Sequence, residues 1–346
     1  MLRYLTAGES HGTGLVAILE GMPCGLKLDM DRINLELKRR QSGLGRGKRM
    51  EIEKDTARII SGVKNGVTLA SPIALYIENK DASIEKLHKV EAPRPGHADL
   101  AGALKYGFTD IRNVLERASA RETAARVAIG AVCKTFLHEF KIKIFSRVIS
   151  IGGETDYQAM REKIYEAMAK KDTVGGIFEV IAKNVPAGLG TYVQADRRLD
   201  ARLAGAIMSI PGIKAVESGL GFGYAERFGS ESHDPIYYSR SKGYYRTSNN
   251  AGGTEGGVSN GQDIVMRACI KPICTLLKPL DSVNIRTKKA AKASIERSDI
   301  CVTEAAGAIA ESVMAYVLTD AFLEKFGSDS LSDIRSNLTS YLKRSR

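Results

Sequence analysis

The 346 residues hold only five histidines, and two of them sit in loops shaped by glycine. In Gly8-Glu9-Ser10-His11-Gly12 an imidazole lies beside a hydroxyl, with glycine close on both sides to open backbone conformations closed to other residues. A histidine so placed suits proton transfer near neutral pH. Read alone, the pentad is equally a tight turn with an incidental histidine. Arg94-Pro95-Gly96-His97-Ala98-Asp99 is the second such loop. Pro95 fixes φ and Gly96 frees it, so the loop is shaped. It presents an arginine and a histidine three residues apart, and the guanidinium fork suits carboxylate or phosphate. A plain surface turn is the alternative. His88, His138 and His233 lie outside loops of this kind and carry no such expectation.

Arginine recurs where a helix should start. Arg117-Ala118-Ser119-Ala120-Arg121-Glu122-Thr123 contains Ser-x-x-Glu, the form of a capping box, ahead of an alanine-rich run to about Glu139. Free N–H groups and the macrodipole make a helix N-terminus an anion site, and flanking arginines strengthen that reading. A capped helix without a ligand is the alternative. Two glycine-dense loops, Gly43-Leu44-Gly45-Arg46-Gly47 and Gly252 to Gly261, match neither a Walker A loop nor the dinucleotide fingerprint, which argues against a P-loop or Rossmann domain. Arg297-Ser298-Asp299 sets a cation beside a carboxylate, a pattern that is usually a local ion pair.

These loops need elements to hold them. Stretches 58–63, 73–78, 142–151 and 177–185 are rich in β-branched residues and read as strands. Stretches 157–170 and 196–210 carry apolar residues at helical spacing, and 303–326 is apolar on most sides, so it reads as an interior helix ended by Gly327. Gly62-Val63-Lys64-Asn65-Gly66 is echoed by Gly257-Val258-Ser259-Asn260-Gly261, each before an apolar strand. The echo fits a pseudo-symmetric α+β architecture, or coincidence in a chain with 34 glycines.

Composition sets the bounds. An apolar fraction of 43% and a charged fraction of 26% are those of a globular protein with a sizeable core. No uninterrupted apolar run approaches the ~18–20 residues of a membrane span, and the N-terminus lacks signal-peptide zones, so the expected compartment is the cytoplasm. Five unclustered cysteines argue for free buried thiols and against disulfides or a structural zinc. The net charge of +11 implies an anionic partner, and Lys38, Arg39, Arg40, Arg46, Lys48 and Arg49 fall in one stretch with no acid between them. That stretch has no aromatic on which a base could stack, and the chain has no tryptophan, which weighs against nucleic acid.

In order and spacing, the motifs resemble those of the chorismate synthase family. The resemblance runs from Leu5–Gly12 through Arg39-Arg40-Gln41, Gly45–Met50, Arg94–Asp99, the Arg117 segment, Gly256–Gly261 and Lys271-Pro272, to near Phe326. It implies a β-α-β-α sandwich with long helices between antiparallel sheets, a single catalytic domain over 1–330 with a basic tail over 331–346, and a homotetramer. The reaction implied is trans-1,4 elimination of phosphate from 5-enolpyruvylshikimate-3-phosphate, dependent on reduced FMN, with NADPH as a reductant in some members. The substrate's two carboxylates and phosphate would account for convergent arginines. By the same resemblance His11 would protonate or steady the reduced flavin, and His97 would act as an acid at the leaving phosphate. Arg40, Arg46, Arg49, Arg94 and Arg121 would bind substrate anions, with Arg40 and Arg46 also matching NADP(H) positions. Arg117, Ala118, Ser119, Pro211, Gly212, Gly256, Lys271, Pro272, Ile273, Cys274, Thr275 and Arg297 match flavin-contacting segments. Asp299, with Ser10 and Ser119 as relays, would help deprotonate the flavin N5. Where the family reads Arg-His-Asp-Pro-Cys, this chain has Arg297-Ser298-Asp299-Ile300-Cys301. A related flavin or NADPH oxidoreductase, and a basic nucleic-acid-binding protein, remain as alternatives, with neither nucleic acid nor membrane the expected partner.

Overall fold

The computed structural model describes residues 2–47, 54–296 and 298–344. Two four-stranded antiparallel sheets enclose a layer of helices. The first sheet is built from β1 (Arg3–Ala7), β2 (Gly14–Glu20), β3 (Ala57–Ser61) and β4 (Ile73–Glu78) in the order β1-β2-β4-β3. The second uses β5 (Lys143–Ile151), β6 (Gly176–Lys183), β7 (Ile213–Ser218) and β8 (Ile264–Ile270) in the order β5-β6-β8-β7. Numbered within each half, both orders are first, second, fourth, third. Both halves also place a helix before their third strand, α1 (Met30–Gln41) and α6 (Leu199–Met208). Both put a two-stranded hairpin before the fourth, Val63–Lys64 with Val67–Thr68 and Thr254–Glu255 with Val258–Ser259. Both send a long helix after it, α4 (Thr123–Glu139) and α7 (Thr303–Phe326). The glycine echo falls within the two hairpins but on opposite strands, Val63–Lys64 being the first of its pair and Val258–Ser259 the second, so the repeat rests on the shared topology and not on the echo. The second half adds α5 (Tyr157–Ala169) between its first two strands.

Residue type explains the layers. Along β8, Ile264, Met266, Ala268 and Ile270 are buried and their neighbours are less so, the period-2 pattern of a sheet covered on one face. The facing helices are rich in alanine and glycine, which lets backbones approach. A Cβ on Gly130 of α4 would lie 2.3 Å from the Ser312 Cβ of α7, and one on Gly307 would lie 2.7 Å from the Ser146 Oγ of β5. Gly130 faces Ser312, Phe136 and Phe140 stack on Phe322, and the Thr319 hydroxyl donates to the Cys133 carbonyl, so α4 and α7 run parallel. Their N-termini therefore lie at one end of the molecule. Phe136, Phe140, Phe322, Phe326 and Tyr341 fill the other.

Helix α7 is long and apolar enough to cross a membrane by length and composition, although no uninterrupted apolar run led us to expect such a span. It is instead the buried core helix between the sheets, as its all-round apolarity implies. Gly327 ends it as expected, its N–H donating to the Leu323 carbonyl. Residues 331–344, expected to be a basic tail, form α8 (Leu331–Arg344), which buries Leu331 and Ile334 against the main core. All five cysteines are free. Cys133 and Cys301 are buried as expected, whereas Cys24, Cys269 and Cys274 are only half-buried.

The segment around Ser119 departs from expectation. Arg117 does not open a helix; it lies in the last turn of α3 (Arg112–Ala118). The chain turns extended at Ser119, whose side chain accepts from the Arg121 N–H and caps a short turn, Ala120–Glu122, that leads into α4. No capping box closes, because the Glu122 carboxylate is taken by Arg126 at 3.1 Å.

Candidate active site

The repeat brings two sets of strand ends to the end of the sandwich where α4 and α7 begin. Between β1 and β2 lies the His11 loop. Asn79, just past β4, clamps it by donating from its amide to the carbonyls of Glu9 and Gly12, at 3.0 and 2.8 Å. From α3, Glu116 takes the His11 backbone N–H at 2.8 Å and stands 3.0 Å from His11 Nδ1 with both carboxylate oxygens. Ser10 is buried, and its N–H donates to the Glu116 carbonyl at 2.9 Å. Burial alone would raise the Glu116 carboxyl, but its bonds from His11 outweigh that and hold it below the usual carboxylate range. Arg117 anchors the approach, donating to the Gly8 and Thr6 carbonyls at 2.9 and 3.0 Å. Ala118 packs against the satellite cluster of Val90, Ala103, Ile111 and Val114.

The second loop has a matching device. Asp99, wholly buried at the start of α2 (Asp99–Tyr106), lies 2.5 Å from His97 Nδ1. The Arg94 fork grips the same carboxylate at 2.8 and 3.0 Å and donates to Thr275 Oγ1 at 2.8 Å. Burial opposes ionisation of Asp99, yet His97 and Arg94 depress its carboxyl far below the usual range. Arg94 Nη2 also approaches His97 Nδ1 at 3.0 Å. A guanidinium can only donate and a carboxylate can only accept, so the two contacts make opposite demands on Nδ1, and the Asp99 oxygen is the nearer of the two.

The second half of the chain closes onto this loop. The Lys271 ammonium donates to the Gly96 carbonyl, and Cys274 Cβ stands against Gly96. The Lys271 N–H donates to the Gly212 carbonyl, which fixes the Pro211-Gly212 turn beside it. Thr173 Oγ1 donates to the Ile273 carbonyl at 2.7 Å, and the Pro272 backbone packs over Gly175, where a Cβ would meet its N at 2.9 Å. Pro211, Gly212, Lys271, Pro272, Ile273, Cys274, Thr275, Arg94 and His97 are thus one neighbourhood. Gly256 lies in the hairpin before β8, whereas Lys271 follows that strand.

The arginines form one buried match and one half-buried match. Arg40 and Arg121 share Asp55, at 2.6 and 2.5 Å. Burial would raise the Asp55 carboxyl, but the two guanidiniums hold it below the usual range. Arg121 also donates to Asn79 Oδ1 at 2.9 Å, linking this pair to the His11 loop. Arg46 lies 3.1 Å from Asp299, whose other oxygen accepts the Gly47 N–H at 2.6 Å, and the Ile300 N–H donates to the Gly45 carbonyl. Burial, with Arg40 nearby, lowers the Arg46 guanidinium from its ordinary value despite Asp299. Arg49 and Arg297 lie outside the described residues. With Arg39 paired to Glu311 at 2.6 Å, three cations of the basic stretch are each paired with a carboxylate of the same chain. Those three charges are not displayed as a phosphate-tracking face.

Glu116, Asp99, Asp55 and Asn79 are the groups that sequence reasoning missed. Asp99 stood inside a motif without a role, and Glu116 four residues after Arg112, where a helical pairing was readable. Nothing local marked Asp55 or Asn79, which reach the site only because β3 starts and β4 ends there.

Two histidines on buried carboxylates, ringed by arginines, define an enzyme site for acid–base work on an anionic small molecule. A family model described as chorismate synthase matches residues 2–323. Chorismate synthase of Thermoanaerobacter pseudethanolicus is 54% identical over 99% of this chain and 98% of its own length. That of Aquifex aeolicus is 50% identical over 99% and 97%. A crystal structure of chorismate synthase superposes with a TM-score of 0.82 at 44% identity, covering 99% of this chain and 98% of the other. The chain belongs to the chorismate synthase family and is a lyase.

Proposed function

We propose that this enzyme converts 5-enolpyruvylshikimate-3-phosphate to chorismate and phosphate by a trans-1,4 elimination that requires reduced FMN. The observation that carries the reading is the pair of carboxylate-held histidines at the one end of the sandwich where both halves converge. The elimination breaks a C–H and a C–O bond, so it needs a group that gives a proton to departing phosphate and cations that meet the developing charge. His97, beside Lys271 and Arg94, is suited to the first task. Arg46, fixed by Asp299, and Lys271, fixed on the Gly96 carbonyl, are suited to the second. Arg40 and Arg121, locked on Asp55, would act chiefly by fixing the field and the His11 loop, and Arg49 would join them in binding substrate.

The residues fit a flavin phosphate and ring. Arg40 Nε and Arg112 Nη1 are buried without hydrogen-bond partners among the described residues, so the cluster keeps donor capacity for an anion. The flavin contacts would come from the Lys271–Thr275 segment, the Pro211-Gly212 turn, and Arg117, Ala118, Ser119 and Arg297. Gly256, in the hairpin before β8, would add a further contact. Reduced FMN, when bound, would supply electron density to the substrate transiently and accept a proton. His11 would hold or move a proton at the flavin edge, with Ser10, Ser119 and Asp299 beside it. Ser119 Oγ accepts from the Arg121 N–H, which leaves its own hydroxyl proton to donate. The same reading carries NADPH as a reductant, a homotetramer and a cytoplasmic enzyme.

Anaerobic incubation of the enolpyruvyl substrate with photoreduced FMN and no NADPH should release phosphate and chorismate in equal amounts. Turnover only when NADPH is added would show that flavin reduction is intrinsic to the enzyme. No chorismate under either condition would refute the assignment.

A further inference from the structure

The two histidines share an arrangement that their assigned roles do not require. Each ring turns Nδ1 onto a carboxylate that is almost or wholly buried, Glu116 at 4% exposure and Asp99 at 0%. Each carboxylate is itself immobilised. Glu116 accepts the His11 backbone N–H as well as facing the ring, and Arg112 lies 3.8 Å from its other oxygen. Asp99 accepts the Arg94 backbone N–H and the Arg94 fork. A free imidazole carries its proton on either nitrogen, and a hydrogen bond at one nitrogen decides which. A carboxylate can only accept. It therefore holds hydrogen on Nδ1 and leaves Nε2, across the ring, as the nitrogen that exchanges a proton.

We propose that Glu116 and Asp99 are positioning residues that fix the tautomer and ring orientation of His11 and His97, so that Nε2 of each is the atom that gives or takes the proton. The catalytic part rests on the function proposed above; the tautomer does not. Neither carboxylate touches the reacting atoms, and each acts through its histidine. The logic parallels the buried carboxylate of a hydrolase triad, where the amide replacement keeps the geometry and reverses the tautomer.

The test uses enzyme labelled with ¹⁵N in its five histidines and read by long-range ¹H–¹⁵N correlation, at a pH where the rings are neutral, without substrate or flavin. In the unmutated enzyme His11 and His97 should both show hydrogen on Nδ1. Glu116→Gln sets an amide N–H₂ against Nδ1, because the amide oxygen is claimed by the His11 backbone N–H. It should move the His11 proton to Nε2 and leave His97 unchanged. Asp99→Asn should do the reverse. Each variant should lose about 10²–10⁴-fold in kcat, the range for misplaced acid–base help, with KM within a few-fold. Glu116→Asp should restore the Nδ1–H form and part of the rate. Hydrogen on Nε2 in the unmutated enzyme would overturn the proposal, and that measurement needs no variant to fold. A Glu116→Gln protein with a lowered Tm and an unmoved tautomer would reduce Glu116 to a structural group. Full turnover with a reversed tautomer would also overturn it. If the tautomers are as stated but the enzyme makes no chorismate, the functional assignment falls and the positioning stands.

Discussion

At the scale of single residues, the site is organised by the buried carboxylates of Asp55, Asp99 and Glu116. His11→Ala and His97→Ala should each reduce turnover by roughly 10–10⁴-fold with the fold intact, the range for lost proton-transfer help. Unchanged steady-state kinetics in either variant would remove that histidine from the chemistry. Asp55 predicts a different phenotype. Removing its charge leaves Arg40 and Arg121 buried against one another. Asp55→Asn should therefore destabilise the protein by about 3–5 kcal/mol in urea titration, the usual penalty for orphaning a buried ion. The carboxyls of Asp55, Asp99, Glu116 and Glu311 are all depressed in the folded protein. Their contribution is fully present above the unfolded carboxyl range, near pH 4, and is lost as pH falls through the lower folded values. Stability measured by denaturant should thus decline steeply below about pH 4, and Asp55→Asn should flatten that decline.

At the scale of elements, close approach of α4 and α7 is the main constraint. Gly130→Ala would gain about 1 kcal/mol in helix propensity. It would also drive a methyl into Ser312, whose Cα would lie 2.5 Å away. Overpacking should win, with a net loss of roughly 1–3 kcal/mol read as a lower Tm; an unchanged or raised Tm would mean the helices part easily. Most elements were legible from sequence. The β-branched runs became β3, β4, β5 and β6, and α7 was bounded at both ends, because period and end signals are local. The break at Ser119 was not legible, since Glu122 had an equally local partner in Arg126. Of the site, the histidine and arginine loops and Asp299 could be read, but Glu116, Asp99, Asp55 and Asn79 could not. Asp55 and Asn79 are ordinary residues beside strand ends, and their meaning comes from sheet order.

At the scale of the molecule, two copies of one topology share a core and face one end. Cys133, on α4 in the middle of that core, reports on its integrity. Burial pushes its thiol up to about 12, so a thiolate is scarce at neutral pH as well as inaccessible. Alkylation of native protein at pH 8 should label the half-buried Cys24, Cys269 and Cys274 first and spare Cys133 until the denaturation midpoint, as followed by mass spectrometry. Early labelling of Cys133 would show that the helix layer opens locally. The second half also supplies residues that the histidine loops require. Thr275 holds Arg94, Lys271 holds the Gly96 carbonyl, and Asp299 holds Arg46.

The position of α7 in the chain has a consequence for synthesis. Its partner α4 is complete at Glu139, yet the face that covers it arrives only with Thr303–Phe326. At about 5–20 residues per second a ribosome needs on the order of 10–40 s to bridge that interval. Throughout it, the nascent chain carries an alanine-lined helical surface with nothing yet made to cover it. Chains released before Thr303 should collect in the insoluble fraction or on chaperones, and the enzyme's yield in a cell should depend on how fast the stretch between Glu139 and Thr303 is translated.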